Sequence, residues 1–249
     1  MTQAPLQQYE EIAAHLRTAI REGVYAPGDP LPSESELGRT FGSARGTVRH
    51  AIATLKNEGL ISSGQGRRSR VLNTVPSQSF DGAISFTEWC RSSGIRPGQQ
   101  TQWVMRRPAD PTLAAPLHLP DRAPVVSVLR LRLMDDVPAM VERLNYPLEV
   151  GKHVLNFDTD SGSIYQRLLD AGVDIDHVTR TIDAVGADAD DAELLQVPEG
   201  TPLLRVRRRA FTSEGTPIES SDDRYLPDQA SFTLTSMRGA PSSASMVSA

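Results

Sequence analysis

The sequence contains one cysteine, Cys90, among its 249 residues. A single thiol cannot form an internal disulfide, and such a sequence is typical of a reducing compartment. There is also no run of about 20 apolar residues that could cross a membrane. The N-terminus has no basic start followed by an apolar segment, as a secretory signal would have. These absences predict a cytoplasmic protein without membrane attachment.

Motifs of common enzyme chemistry are also missing. The five histidines, at positions 15, 50, 118, 153 and 177, have no metal-ligand spacing with the cysteine or with each other. The sequence has no glycine-rich phosphate loop and no nucleophile elbow. We therefore predict neither a metal site nor a cofactor.

The formal net charge of -5 conceals an uneven distribution along the chain. Residues 1–72 contain 9 Lys and Arg against 7 Asp and Glu, whereas residues 73–249 contain 17 against 24. Only the N-terminal third could therefore meet a polyanion such as nucleic acid favourably. An excess of two positive charges is also ordinary for a protein surface, so charge alone leaves both interpretations open.

The N-terminal third begins with two predicted helices. Apolar residues recur at helical spacing across residues 7–23, and Gly23 offers a C-terminal stop. After a Pro- and Gly-rich break, Ser33 and Glu36 form the pattern of a capping box. The second helix therefore begins at Ser33 and runs to about Thr40.

A third helix, predicted over residues 44–58, is followed by two short strands around a glycine-rich turn in residues 60–72. Three helices and a basic hairpin are the outline of a winged helix-turn-helix. Arg45 and Arg49 share one face of the third helix. Positive charge is disfavoured at a helix N-terminus, so the two arginines indicate an external anion. Arginine suits bidentate contact with guanine in the major groove.

An alternative interpretation of the same two arginines remains open on the residues alone. Arg45 and Arg49 are equally compatible with a solvated surface on which they pair with Glu36 or Glu58.

The motifs "LPSESELGRTFGSARGTVRHAIATLKNEGLI" and "GQGRRSRV" lie within residues 8–72. In order and spacing they resemble the winged helix-turn-helix of GntR-type bacterial transcription repressors. The resemblance implies binding to double-stranded DNA at a palindromic operator. It implies that the DNA contacts come from Ser33, Glu34, Arg45, Thr47, Arg49, Gln65, Gly66, Arg67 and Arg68.

This sequence departs from the family pattern at several of these positions. Ser35 occupies a position where the family often has an arginine. Ala44 precedes Arg45, where the family usually has Ser or Thr, and Gly46 follows Arg45. In the wing, Arg68 and Arg70 replace a glycine and an aromatic residue. We expect the wing to bind phosphates more strongly, and base recognition to differ from that of the family's usual operators.

Length and composition predict two domains. A polar segment with one proline and no periodicity separates them and is interpreted as a linker. We predict a DNA-binding domain over residues 1–74, the linker over 75–82, a second domain over 83–238 and a disordered tail over 239–249.

An internal repeat relates residues 117–147 to residues 195–227. Each copy reads as a short helix, a turn and a long antiparallel hairpin, with one extra residue in the second turn. Arg130 of the first copy aligns with Arg208 of the second. The duplication predicts a sheet with pseudo-twofold symmetry and a cleft on each side, although chance similarity between two Pro-bounded hairpins is an alternative.

Alternation along the first hairpin places Arg130 and Arg132 on one face of the sheet and Leu129, Leu131 and Leu133 on the other. If the leucine face meets the helices, the arginines face outward or line a pocket. Two arginines at alternate positions form a plausible anion clamp. Edge-strand arginines that serve solubility are the alternative.

Other polar residues extend this candidate site. Ser161 and Ser163 begin a predicted helix whose free N–H groups suit an anion, although either serine could simply be an N-cap. Glu219, Ser221 and Tyr225 alternate along one face of the last strand. Pairing of Glu219 with a nearby arginine is the alternative there.

Residues 80–235 resemble the UTRA effector-sensing domain of the HutC-type branch of GntR repressors, through the Arg-x-Arg strand, the strand ending in "YP", the Ser-x-Ile-Tyr helix start and "PIESSDDRYLP". The turn "MDDVP" lacks the common glycine, which leaves the strand register there open by one residue. The resemblance implies a homodimeric repressor that binds a small anionic metabolite, such as a sugar phosphate. The implied effector-binding residues are Arg130, Arg132, Glu142, Ser161, Ser163, Tyr165, Glu219, Ser221 and Tyr225.

The expected fold class is α+β: a winged helix-turn-helix joined to an α/β sensing domain with a mainly antiparallel sheet. A similar fold occurs in chorismate lyase, so a lyase-type enzyme with an accessory DNA-binding module is the alternative function. The resemblance to a repressor predicts that the chain is not an enzyme.

Overall fold

The computed structural model describes residues 5–62, 68–72, 77–78 and 85–232. The chain divides into two compact units, with boundaries between residues 82 and 83 and between residues 230 and 231. Among the described residues, no helix is long and apolar enough to span a membrane.

The first unit is helical, and its apolar residues meet in one core. Val48, Ile52 and Leu55 of the third helix are buried there, as are residues of the other two helices and the hairpin. Its elements are α1 (Pro5–Arg21), α2 (Glu34–Thr40), α3 (Arg45–Asn57) and the short strand β1 (Ser77–Gln78). The buried core comprises Ile12, Ala13, Leu16, Ile20, Leu31, Leu37, Val48, Ala51, Ile52, Leu55, Leu60, Ile61 and Val71.

A small antiparallel arrangement follows α3, as expected for a wing. The Ser62 backbone N–H donates to the Arg70 carbonyl over 2.7 Å, and the Leu31 N–H donates to the Ser69 carbonyl over 2.8 Å. The first bond joins the two sides of the hairpin, and the second joins the segment before α2 to its second side. The predicted turn residues Gln65, Gly66 and Arg67 lie outside the described residues.

The second unit contains one six-stranded sheet with helices on both faces. Its helices are α4 (Phe86–Ser92), α5 (Pro111–Ala114), α6 (Leu148–Val154), α7 (Ile164–Asp170) and α8 (Ala189–Leu195). Its strands are β2 (Pro97–Pro108), β3 (Pro124–Met134), β4 (Val137–Pro147), β5 (His177–Gly186), β6 (Pro202–Phe211) and β7 (Pro217–Tyr225). The additional strand β8 (Ser231–Phe232) belongs to the first unit and pairs in parallel with β1. That pair uses two residues of the segment predicted as a linker.

The strand order β2-β3-β4-β7-β6-β5 is symmetric about the β4–β7 seam, and every neighbouring pair is antiparallel. The predicted internal repeat is therefore present, and the repeating unit is longer than the sequence indicated. Each copy consists of a strand, a helix and a hairpin, because β2 and α5 precede the first hairpin as β5 and α8 precede the second. The predicted α+β class with an antiparallel sheet is confirmed.

The two faces of the sheet have different covers. The leucine face packs against α8, where Leu129 and Leu131 meet Leu195 in one cluster. The arginine face is covered as well, because Val126 and Val128 pack with residues of α6 and α7. The arginines therefore do not face outward. An outward orientation was one of the two arrangements that the sequence left open.

Two positions show how closely the elements approach. A Cβ atom at Gly151 of α6 would collide with Val126 of β3, so only glycine allows this packing. The β3–β4 turn places Asp135 at φ 49° and Asp136 at φ 70°, in the left-handed region that short hairpin turns require. A register shift follows Arg132, so the structure gives the pairing that the sequence left open.

Candidate nucleic-acid interface and effector site

The first candidate surface is the N-terminal end of α3. Arg45 and Arg49 are both exposed, and neither forms an ion pair with any residue that the structure describes. Ala44, the N-cap, has no side chain that can accept the first backbone N–H groups of the helix. Positive side chains and free N–H donors thus share one exposed helix end, which suits an incoming phosphate backbone.

The acidic side chains that might have neutralised these arginines are engaged elsewhere. Glu58 accepts hydrogen bonds from Arg17 of α1 over 2.6 and 2.8 Å. Glu36 closes the α2 capping box and contacts Arg68 over 3.3 Å. The α3 arginines therefore do not pair with these two glutamates, and the alternative interpretation of the sequence is wrong on this point.

The other predicted DNA contacts have varied surroundings. Ser33 is the α2 N-cap, and its hydroxyl accepts from the Glu36 N–H over 3.2 Å, so it positions the helix. Glu34 is exposed in the first turn of α2, and Thr47 is half-buried in α3. Arg70 donates to the Gly28 carbonyl over 2.6 Å, which braces the wing against the segment before α2.

The second candidate site lies on the arginine face of the sheet. Arg130 donates to Glu142 Oε2 through Nε over 2.8 Å and through Nη2 over 2.5 Å, and to the Thr159 carbonyl over 3.0 Å. Arg132 reaches the same Oε2 atom over 3.4 Å and donates to Thr87 of α4 over 2.9 Å. Both arginines are at least 98% buried. The predicted grouping of Arg130, Arg132 and Glu142 is present.

The symmetric half of the sheet carries a matching pair. Arg208 donates through Nε to Glu219 Oε1 over 2.9 Å and makes a second, shorter contact through Nη2. Its guanidinium carbon lies 5.6 Å from the centre of the Tyr165 ring. Ser221 donates to Asp223 Oδ2 over 3.2 Å, deep in the same face. Glu219 thus pairs with a nearby arginine, which was the alternative interpretation of the sequence. This pair and the group of Arg130, Arg132 and Glu142 form a charged cluster on the arginine face.

Electrostatics differ between these buried groups. Burial alone would raise the pKa of Glu142, but Arg130 and Arg132 outweigh it and hold that pKa below its ordinary value. Burial raises the pKa of Asp223 well above its ordinary value, Glu142 and Glu219 add to this, and Arg208 opposes it. Arginines therefore hold the carboxyl group of Glu142 ionised, whereas Arg208 does not outweigh the burial of Asp223.

Two predicted serines do not enter this cluster. Ser163 caps α7 by accepting from the Gln166 N–H over 3.2 Å. Ser161 is exposed, and its hydroxyl donates to the Asp158 carbonyl within its own turn over 2.6 Å. Both serines therefore satisfy local backbone groups. Tyr225 is buried on the cluster's face of the sheet, and burial raises its pKa well above the ordinary value.

Several residues of the cluster were not predicted from the sequence. Thr87 and Phe86 of α4 contact Arg132, the latter with its ring 4.4 Å from the guanidinium carbon; nothing in the sequence placed this helix over the sheet. Asp223 carried a usable signal, because it falls between Ser221 and Tyr225 in the same alternation. Among the described residues, no group of three His, Cys, Asp or Glu side chains could hold a metal ion.

A helix-turn-helix unit, whose α3 arginines are exposed and unpaired among the described residues, is typical of a DNA-binding regulator. The second unit is a sheet that encloses a charged cluster. Comparison with known families agrees with this class. Residues 8–71 match the family of bacterial regulatory proteins called gntR, and residues 92–231 match the UTRA domain. The chain belongs to the GntR family and carries a UTRA domain, as the motifs predicted.

Individual relatives support the same assignment. The chain is 31% identical over 231 residues to the HTH-type transcriptional repressor NagR of Bacillus subtilis, covering 92% of this chain and 95% of NagR. It is 28% identical over 206 residues to the repressor PhnF of Mycolicibacterium smegmatis, covering 83% and 84%. The crystal structure of PhnF from Mycobacterium smegmatis has a TM-score of 0.62 and 27% identity, covering 91% and 99%. The chain is a DNA-binding transcription regulator and not an enzyme, so the lyase-type alternative is abandoned.

Proposed function

We propose that this protein is a repressor whose first unit binds a palindromic operator and whose second unit binds a small anionic metabolite that controls operator affinity. We assign DNA binding to residues 1–74, a linker to residues 75–82 and sensing with dimerisation to residues 83–238. The protein acts in the cytoplasm, where the DNA of a bacterial cell lies.

In this proposal α3 enters the major groove by its N-terminal end. Arg49 and Arg45 contact bases and phosphates there, since arginine is suited to both. Thr47, Glu34 and the wing residues Gln65, Gly66, Arg67 and Arg68 supply further contacts. The main support for DNA binding by α3 is that Arg45 and Arg49 are exposed and unpaired among the described residues. The nearby glutamates are engaged by other arginines.

The effector binds on the arginine face of the sheet. Arg130, Arg132 and Arg208 supply positive charge, and their buried setting strengthens attraction to an anion relative to bulk water. Arg132 Nε is buried and has no hydrogen-bond partner among the described residues. An unsatisfied buried donor costs about 1–3 kcal/mol, and a phosphate or carboxylate oxygen of the effector would satisfy it.

The proposed control mechanism requires a homodimer. A homodimer places two α3 helices on half-sites about 34 Å apart. Effector binding favours a dimer arrangement in which this spacing no longer fits the operator. A tenfold loss of operator affinity requires only about 1.4 kcal/mol of coupling.

A two-stage experiment tests this proposal. A thermal-shift screen of sugar phosphates, phosphonates and organic acids identifies anions that bind the full chain. Each hit is then added to a complex of the protein with labelled DNA from upstream of its own gene, and release is followed by fluorescence anisotropy. Light scattering gives the oligomeric state. A monomer that ignores this DNA, or a dimer that no anion affects, would contradict the proposal.

A further inference from the structure

Three residues in the middle of α3 form one exposed row, called here the outer row. Gly46, His50 and Ala53 are each exposed, and their spacing makes them neighbours on the side opposite the buried residues of the helix. Glycine has no side chain and alanine has only a methyl group. A Cβ atom at Gly46 would meet no atom of the described residues within 4 Å. A molecule that docks on the outer row can therefore approach the helix backbone closely at both ends, and it meets the imidazole of His50 between them.

A ring from another helix holds this imidazole. The centre of the His50 ring lies 3.9 Å from the centre of the Tyr9 ring of α1, and the two ring planes are 7° apart. Tyr9 is itself half-buried and packs against the core of the first unit. Tyr9 therefore covers one face of the imidazole and leaves the ring edge, which carries both nitrogen atoms, for another partner. A side chain that is already held loses less conformational freedom when it binds.

The ring nitrogens of His50 have no partner in the first unit. The His50 side chain forms no hydrogen bond and no ion pair with any residue that the structure describes. An imidazole keeps at least one N–H donor in either protonation state. In the major groove of DNA, the N7 atoms of guanine and adenine are acceptors. A ring N–H on the outer row therefore matches the N7 atom of a purine.

The position of His50 on α3 favours a base over a phosphate as its partner. A helix in the major groove turns the middle of its exposed side toward the base edges, whereas phosphate contacts fix its orientation from the flanks. His50 lies in the middle of the exposed side, and its small neighbours Gly46 and Ala53 allow the helix to lie deep in the groove. Arg45 and Arg49 lie to one side of this row and have the length and charge to reach the backbone.

We propose that His50 is a specificity residue for operator binding: it donates a hydrogen bond to the N7 atom of a purine, and Tyr9 is the positioning residue that holds its ring. This inference rests on the proposed function, since it requires that α3 enters the major groove. It adds a base contact beyond those of the two arginines, and it requires a purine at one fixed position of each operator half-site.

The test uses the full chain and a duplex from upstream of its own gene, shortened to the segment that the protein protects in a footprint. Each purine is replaced in turn by its 7-deaza analogue, which lacks the N7 acceptor and keeps its base pairing. Fluorescence anisotropy gives the affinity for each duplex. At the position that His50 contacts, the replacement should weaken wild-type binding by about threefold to tenfold, which is the effect of one hydrogen bond.

His50→Ala should remove the sensitivity to N7 at that position and keep it wherever an arginine contacts a guanine. The variant should fold, because His50 is exposed and alanine favours helices, and circular dichroism checks this before DNA is added. His15→Ala is the matched control, since it removes an exposed histidine from α1 of the same unit. Its profile of N7 sensitivity should equal that of the wild type.

Two substitutions of Tyr9 test its positioning role. Tyr9→Phe keeps the stacked ring and should give the wild-type profile. Tyr9→Leu keeps an apolar side chain without a ring, so it should reduce the N7 effect at the His50 position and leave the other positions unchanged. A wild-type profile for Tyr9→Leu would overturn the positioning role of Tyr9.

The remaining outcomes separate this inference from the proposed function. If the wild type binds the DNA and His50→Ala keeps every N7 sensitivity, the base contact is overturned and the proposed function stands. If His50→Ala weakens binding to all duplexes equally, His50 contacts a phosphate, and its role in specificity is overturned. If the wild type binds none of the upstream DNA, the proposed function fails and this inference fails with it.

Discussion

Arg17 of α1 and Glu58, the C-cap of α3, form a two-armed salt bridge with N–O distances of 2.6 and 2.8 Å. The pair is largely buried, with side-chain exposures of 10% and 18%. It joins the first and third helices of the DNA-binding unit. It also keeps an acid away from the α3 arginines that the proposed function assigns to DNA.

We expect Arg17→Met to destabilise the first unit by about 1–3 kcal/mol, since it removes charge-assisted hydrogen bonds and leaves Glu58 partly buried without a partner. Urea denaturation followed by circular dichroism measures this. Lys152→Met is the control, because the Lys152–Glu149 pair is exposed and contributes little. Equal effects of the two substitutions would show that the Arg17–Glu58 salt bridge does not stabilise the first unit as predicted.

Arg49→Ala should weaken operator binding by about 1–3 kcal/mol, while the fold and the oligomeric state stay unchanged. If Arg49 contacts phosphate, the slope of log affinity against log salt concentration should also fall by about one. Anisotropy titrations at several salt concentrations measure both quantities. Arg91→Ala, which removes an exposed arginine from α4, should change neither.

Asp136→Gly should stabilise the second unit by about 0.5–1 kcal/mol, because Asp136 has a φ of 70° that glycine adopts without strain. The substitution also removes the contact with Arg96, but that pair is exposed, with side-chain exposures of 66% and 76%, and contributes little. Asp136→Ala loses the same contact without relieving the strain, so it should not stabilise. Thermal denaturation distinguishes the two variants.

The stability of Asp223→Asn relative to the wild type should depend on pH. The folded-state pKa of Asp223 is raised above its ordinary 3.8, chiefly by burial. The wild type therefore loses stability as pH rises from about 4 through that raised pKa, because the folded protein resists ionisation more than the unfolded chain does. Asparagine does not ionise, so the variant should gain relative stability over this range. If the difference in melting temperature between the variant and the wild type is constant from pH 4 to pH 8, the pKa of Asp223 is not raised in the folded protein.

Much of the DNA-binding unit could be predicted from the sequence, because its signals are local. The capping box at Ser33 and the spacing of Arg45 and Arg49 each depend on residues within one or two helical turns. What the sequence could not give was the partner of Glu58. Arg17 lies 41 residues earlier, and only the packing of α1 against α3 brings the two together.

The second unit was predicted less completely, because its candidate site is assembled from distant segments. Alternation correctly placed Arg130 and Arg132 on one face. It could not show that α4, α6 and α7 bury that face, since covering helices leave no signal in the strand pattern. Ser161 and Ser163 were predicted as anion ligands because they begin a helix, and the sequence could not show that local hydrogen bonds engage both hydroxyl groups.

The proposed control of operator affinity by an anion at the buried arginines has a direct test. Operator release by an identified anion is measured in the wild type and in Arg132→Met. Fluorescence anisotropy with DNA from upstream of the gene gives the affinity with and without the anion. We predict at least a tenfold loss of affinity for the wild type and none for the variant, with equal affinities when the anion is absent. If Arg132→Met releases the DNA as the wild type does, the effector does not bind at the buried arginines and the account is wrong.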